Sequence, residues 1–190
     1  MRQLIVTTFI SADGVMEGPG GGDHPHAGWT FTDIEFVPEA YTLKGTEQAE
    51  AGAILLGRVS YDEFAPVWHT MEDFASYNAG EKYVVSTTLT GPTAPWGDFP
   101  AVQVLRSVDD VAALREGEGG PILVHGSATL AQSLAAAGLV DRYHLLVFPV
   151  LLGSGKRLFA DAPAAKQNLA LVSHEAYANG ITAQVYDVRR

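Results

Sequence analysis

The sequence predicts an α/β fold in which a mostly parallel central sheet is wrapped by helices and extended at its C-terminal end by antiparallel strands. Three observations carry that prediction. Short apolar runs alternate with helix-like segments through the middle of the chain, the pattern of βαβ crossovers. Glycine turns at Gly14, Gly57 and Gly126 directly follow three of those runs. Near the C-terminus, Asn179-Gly180 separates two β-type runs, the strongest short hairpin signal there is.

Residues 2–10 read as a buried first strand, ended by the polar turn Ser11-Ala12-Asp13-Gly14. Residues 18–26 contain four glycines and two prolines, which exclude a helix or strand interior and suit a mobile lid. A helix is expected over residues 37–51, a short strand over 53–56, and a second helix from Val59. Strands follow at 82–88 and 102–105. Ser107 then caps a helix whose first turn carries Asp109 and Asp110, favourable at the positive end of the helix dipole. A strand at 121–125, a helix at 127–137 stopped by Gly138, and a strand at 142–149 complete the parallel region. The stretch 149–159 is expected to begin as strand and to turn at Gly153-Ser154-Gly155. Residues 169–178 and 181–188 form the hairpin. With no internal repeat, charge block or linker, residues 1–190 are expected to form a single domain, and a core burying roughly 70% of the unfolded chain's surface is expected at this size.

Composition excludes several classes of function. The absence of cysteine removes disulfides, thiolate nucleophiles and thiolate metal sites together. Twelve basic against twenty-two acidic side chains, a net charge of −10, argue against nucleic acid as a partner. No apolar run has the length to span a bilayer and no signal-type segment opens the chain, so a cytoplasmic protein without a membrane partner is expected.

In an open α/β sheet, ligands bind outside the carboxyl ends of the strands. Gly57-Arg58-Val59-Ser60 joins a close-approach glycine, a guanidinium and a hydroxyl to a helix start, the makings of an anion site. Read alone, the same four residues also describe a turn beside a surface charge. Gly126-Ser127-Ala128-Thr129 repeats the arrangement, with Ser127 as an ordinary N-cap the competing reading. Ser86, Thr87 and Arg106 end two further strands and are either phosphate ligands or solvated loop residues. His24, His26 and Asp23 lack a third ligand of clear spacing, so no metal is expected. His69, His125, His144 and His174 read as satisfying local hydrogen bonds. Trp29 and Trp68 either pack in the core or wall an apolar pocket.

This ordered set of turns resembles the dihydrofolate-reductase-like superfamily, most closely the reductases similar to the C-terminal domain of the bifunctional riboflavin-biosynthesis deaminase-reductase. The resemblance rests on Ser11-Ala12-Asp13-Gly14, on Ile54-Leu55-Leu56-Gly57-Arg58-Val59-Ser60-Tyr61-Asp62-Glu63-Phe64 with Trp68, and on Val84-Val85-Ser86-Thr87. It continues through residues 104–111, the Gly126 turn, Leu139-Val140-Asp141-Arg142-Tyr143-His144, and residues 149–159. It implies a three-layer sandwich, a homodimer, and an NADPH site. In that site Gly57, Arg58, Val59 and Ser60 contact phosphate, Ser86, Thr87 and Arg106 surround the adenosine 2′-phosphate, and Gly126, Ser127, Ala128 and Thr129 hold the pyrophosphate. Asp13-Gly14 then borders nicotinamide and substrate.

The chain departs from the pattern at one place. Dihydrofolate reductases carry a pterin-binding carboxylate on the helix before the Gly-Arg turn, and the same distance of sixteen residues before Gly57 falls on Tyr41. The nearest carboxylates are Glu39 and Asp33, so dihydrofolate is not the expected substrate. A hydride acceptor still needs a proton, for which Asp13, Glu39, Tyr41 or water are the candidates, Asp13 first. Asp13 also fits an ordinary turn-forming role before glycine. A reductase of a ribosylaminopyrimidine needs a basic grip on the substrate side, where Lys44 and Lys156 are the only candidates. A ligand-binding protein without turnover is the alternative from another class.

Overall fold

The computed structural model describes residues 1–32, 34–159 and 166–190. Asp33, one of the two carboxylates weighed for the missing acid, lies outside the described residues. Among the described residues nine strands form one sheet: β1 (Leu4–Ser11), β2 (Ala53–Gly57), β3 (Glu81–Val85), β4 (Thr93–Ala94), β5 (Val102–Leu105), β6 (Ile122–His125), β7 (Arg142–Phe148), β8 (Asn168–Ala176) and β9 (Thr182–Arg189). Their order is β4-β5-β3-β2-β6-β1-β7-β9-β8. The six strands from β5 to β7 in that order run parallel, whereas β4, β9 and β8 pair antiparallel. The helices are α1 (Thr42–Glu50), α2 (Arg58–Trp68), α3 (Ala75–Ala79), α4 (Val108–Arg115) and α5 (Ala128–Ala136).

Alternation along β1 explains the layers. Leu4, Val6 and Ile10 point to one face, where Val111 of α4 and Leu130, Ala131 and Leu134 of α5 complete a core. Ile5 points to the other, packing with Ile54, Leu56, Val84 and Leu123 under Tyr61, Ala65 and Tyr77. A third cluster on Leu146, Phe148, Ile181 and Ala183 holds Trp29, which is 4% exposed and donates its indole N–H to Glu17 O at 2.8 Å. Trp29 is therefore a core residue. A central strand buried on both faces reads as a nearly continuous apolar run, which is why β1, β2 and β6 were legible.

Several expected boundaries shift for local reasons. The helix expected over residues 37–51 is a 3-10 turn, Pro38–Tyr41, followed by α1, because proline starts a turn but donates no N–H to continue one. β3 ends at Val85, since Ser86 Oγ accepts the amides of Thr88 and Leu89 and folds the chain away from the sheet. Residues 149–152 are not strand: β7 stops at Phe148, and Val150 N bonds back to Phe148 O at 2.8 Å. The 3-10 turn Glu72–Phe74, α3 and β4 are too short to show a period. Gly138, at φ 69°, closes α5 with Leu139 N donating to Leu134 O, and Gly180, at φ 82°, turns the final hairpin.

Candidate functional site

Because six strands are parallel, their carboxyl ends share one edge, and the three glycine turns meet there. Gly57 and Ser127 are the N-cap residues of α2 and α5, and neither helix receives a side-chain cap. Ser127 turns instead to the neighbouring helix: its Oγ accepts Gly57 N at 2.8 Å and lies 2.9 Å from both Ser60 Oγ and His125 O, to one of which its single hydrogen goes. The competing reading of Ser127 as an ordinary capping serine does not hold, because its hydroxyl does not cap its own helix. This geometry places Ser127 at φ 62°, the only positive φ among the described non-glycine residues, a conformation that costs about 1–2 kcal/mol. Gly126 before it sits at φ 54°, and a Cβ there would stand 3.5 Å from Ser60 Oγ and 3.6 Å from Phe64. Two helix N-termini are thus pinned side by side, their first amides free of side-chain caps, with backbone exposed between them.

Cations border this pair. Arg58 is ion-paired with Asp62 one turn along α2, and its buried Nε has no partner among the described residues. A cleft of ≈ 350 Å³ opens at Ala128, Thr129 and Gln132 of α5 against Gly155, Lys156 and Arg157. A second cleft of ≈ 350 Å³ lies between the glycine-rich loop and Val59 and Glu63 of α2, and it shares Gly155 and Lys156 with the first. The glycine-rich loop is fastened to the 153–157 turn by His24 Nε2 to Ser154 O at 3.0 Å and by the Glu17–Lys156 ion pair at 3.3 Å. Among the described residues no group of three His, Asp or Glu side chains is placed to hold a metal ion.

The far end of the site looks different. Arg106 directs its guanidinium to the carbonyls of Ser86 (2.9 Å), Leu89 (2.6 Å) and Gly91 (2.5 Å), so it latches the loop after β3. Ser86 is buried and Thr87 is exposed beside it. Arg106 and Thr87 therefore border one loop, while the Ser86 hydroxyl is occupied by that loop's own amides.

Of the candidate acids, Asp13 has another task. Its carboxylate accepts Ser11 Oγ at 2.6 Å, Leu152 N at 3.2 Å and Gly153 N at 2.8 Å, tying the β1 turn to the loop after β7. The Ser11 hydroxyl first, and then the two amides, hold its pKa down to about 2. A carboxylate so held is ionised and has no proton to give, which corrects the preference for Asp13 as donor. Glu39 is exposed on the 3-10 turn. Tyr41 stacks on Phe36 (centroids 5.2 Å) and meets the Phe9 ring edge-on at 6.0 Å, and burial raises its pKa. Glu39 and Tyr41 share the 3-10 turn, whereas Asp13 is tied to the loop after β7.

The sequence reading named Lys44 only as a candidate basic grip and missed Glu47 and the cluster that forms under α1. Lys44 and Glu47 cross the sheet face over Thr7, His125 and His144, with Glu47 only 2% exposed. Burial pushes the Glu47 carboxyl up, but Lys44, the hydrogen bond with His144 and the nearby imidazoles pull it further down, to about 2. Burial also lowers Lys44, and takes His125 to about 4. The spacing of Lys44 and Glu47, one helical turn apart, was the sole available signal, and it equally describes a solvated helix face. Trp68 is half-buried, stacked between Phe64 (4.3 Å) and Phe74 (4.5 Å), with His125 edge-on at 5.4 Å.

Comparison with known proteins agrees with this architecture. The C-terminal domain family of RibD matches residues 2–183. An uncharacterized protein of Bacillus subtilis (strain 168), YyaP, is 28% identical over 193 aligned residues, covering 97% of this chain and 94% of that one. A riboflavin-biosynthesis-like protein from Shewanella sp. PV-4 superposes with a TM-score of 0.76 at 20% identity, covering 99% of both chains. A pyrimidine reductase-like protein from Corynebacterium diphtheriae gives 0.65 at 16% identity, covering 100% of this chain and 92% of that one. The dihydrofolate reductase of Enterococcus faecalis, solved with NADP(H) and RAB-propyl, gives 0.62 at 14%, covering 99% and 97%. The fold is that of the dihydrofolate-reductase-like proteins, and the chain belongs to the RibD C-terminal domain family.

Proposed function

We propose that this protein is an NADPH-dependent reductase that delivers a hydride to a small, heterocyclic acceptor other than dihydrofolate. The observation that carries the reading is the pair of helix N-termini, α2 and α5, locked together through Gly57, Ser60 and Ser127 and left without side-chain caps. In a chain of net charge −10 an anion needs such a local cluster of donors. The dinucleotide phosphates fit it: the amides of Val59, Ser60, Ala128 and Thr129 supply donors, Arg58 has a buried Nε without a partner among the described residues, and Gly126 leaves room that a side chain would fill. Arg106 and Thr87 would border the adenosine 2′-phosphate, favouring NADPH over NADH. When bound, the cofactor supplies the hydride, and the chain's residues hold it and exclude water.

Titration of tryptophan fluorescence with NADPH and with NADH tests the reading. Saturable, NADPH-selective binding is expected, and the absence of saturation up to millimolar NADPH overturns it. A second reading, a ligand-binding protein without turnover, is favoured by the state of Asp13, whose carboxylate is fully occupied by the loop it anchors. NADPH oxidation with pterins, pyrimidines, quinones and nitroaromatics separates the two, since turnover abolished by Arg58→Ala rejects the binding-only protein. A ribosylaminopyrimidine is disfavoured as acceptor because Lys44 is paired with Glu47 and Lys156 with Glu17, leaving neither as a separate phosphate grip. The same reading makes the protein cytoplasmic and homodimeric. The outer strand β8, with Leu171 60% and Val172 50% exposed, is the surface proposed for the second copy. Among the described residues no helix is long and apolar enough to cross a membrane.

A further inference from the structure

The register of three neighbouring strands sets Thr7 of β1 beside His125 of β6 on one side and His144 of β7 on the other. Across this row α1 lays an ion pair. Thr7 Oγ1 is 2.8 Å from each Glu47 oxygen, His144 Nδ1 is 2.8 Å from Glu47 Oε1, and Lys44 Nζ is 3.3 Å from both oxygens and donates to Thr7 Oγ1. Three more buried polar atoms have no partner among the described residues: His125 Nε2, His144 Nε2 and the hydroxyl of Tyr77, whose ring centroid is 5.0 Å from that of His125. Taking a carboxylate and an ammonium out of water costs several kcal/mol per ion, and replacing such a pair by well-packed apolar residues is often neutral or stabilising. Stability therefore does not account for the cluster, and its position does: His125 is the last residue of β6 and leads directly into Gly126 and Ser127. Of the ion pair Lys44 is the more exposed member, its side chain 17% exposed against 1% for Glu47, with Nζ 5.5 Å from the centroid of the Phe9 ring.

Resting on the reductase reading above, we propose that Lys44 is the proton donor of the reduction and Glu47 its positioning residue. Reduction of a C=N or C=O bond adds one hydride, from the dihydronicotinamide, to carbon and one proton to nitrogen or oxygen. Lys44 provides the proton: an ammonium N–H bond breaks, an N–H or O–H bond forms on the acceptor, and the free amine recovers a proton from water. Burial lowers the pKa of Lys44 toward the range in which it can give up a proton, while Glu47 opposes that shift. The other titratable groups around it are His125 from β6, His144 from β7 and Tyr77 from α3. His125 Nε2, His144 Nε2 and the Tyr77 hydroxyl are buried atoms, while the Lys44 side chain is 17% exposed.

Competitive acetylation with acetic anhydride, read at Lys44 by peptide mass spectrometry against exposed Lys166, tests this without an acceptor. In the free protein Lys44 should react, and saturating NADPH should slow it several-fold while sparing Lys166. In Glu47→Gln the pH midpoint of its reactivity should fall by about one unit or more, because the ammonium has lost its counter-charge. A Lys44 that the reagent never reaches overturns the proposal, as does an unchanged rate once fluorescence shows NADPH to be bound. An unchanged midpoint in Glu47→Gln removes Glu47 from the role. Lack of NADPH binding is a separate result that overturns the cofactor reading and this inference with it. The wild-type arms decide the matter even where Glu47→Gln does not fold.

Discussion

Asp13 and Glu47 are both carboxylates held near pKa 2, yet by opposite means. Asp13 sits at a partly exposed turn, where a serine hydroxyl and two loop amides stabilise its charge. Glu47 is sealed against the sheet, where burial works against the charge and the Lys44 ammonium, the hydrogen bond with His144 and the imidazoles outweigh it. Local hydrogen bonding makes the first a clasp between two loops. Compensation of charge in a low-dielectric interior makes the second a coupled unit, in which removing one member strands the rest.

The sharpest way to break the comparison is Glu47→Ala. It leaves Lys44 and His144 facing an apolar void, and a loss of about 3–5 kcal/mol in urea unfolding is expected. Asp13→Asn should cost less, about 1.5–3 kcal/mol, because water can replace part of what the loop amides lose. The acid limb separates the two carboxylates further. Asp13 has a folded pKa of about 2 against an ordinary value near 4, so its stabilisation is present above about pH 4 and is lost as pH falls toward 2. Unfolding at pH 5 and at pH 2.5 should show a smaller drop in Asp13→Asn than in the wild type, since the variant has already lost that contribution. An equal drop would mean that the clasp stabilises nothing.

Arg58→Ala touches neither carboxylate. Its pairing with Asp62 is partly exposed and spaced i,i+4, so stability should change by only about 0.3–0.5 kcal/mol. Its effect on NADPH affinity should be about 1.5–3 kcal/mol by fluorescence titration, the size of a charge-assisted hydrogen bond. Smallest of all is Glu39→Gln, which removes a carboxylate in solvent and should shift the melting free energy by less than about 0.5 kcal/mol. A larger loss would reveal a partner for Glu39.

The parallel strands and their glycine turns were readable because burial on both faces writes an apolar run and a turn at positive φ selects glycine. The elements that escaped, α3 and β4, are held by contacts from elsewhere: Asn78, for example, is fixed by Trp68 O and the Trp96 indole. Within the site, Gly57, Arg58, Ser60, Gly126 and Ser127 were legible as a group, though not the reversal in which Ser127 serves the neighbouring helix. Asp13 was legible as a residue and misjudged as an acid, because its partners at 152 and 153 lie far along the chain.

By itself, then, the sequence determined the sheet, its direction and the carboxyl-end edge where the turns gather, since periodicity and glycine placement are local properties. Only the tertiary structure decided which ionisable groups are brought together and buried. Lys44 and Glu47 look like helix-surface charges until β1, β6 and β7 bring Thr7, His125 and His144 beneath them. A group's proton affinity depends on burial and on neighbours that the chain supplies from as far as ninety-seven residues away.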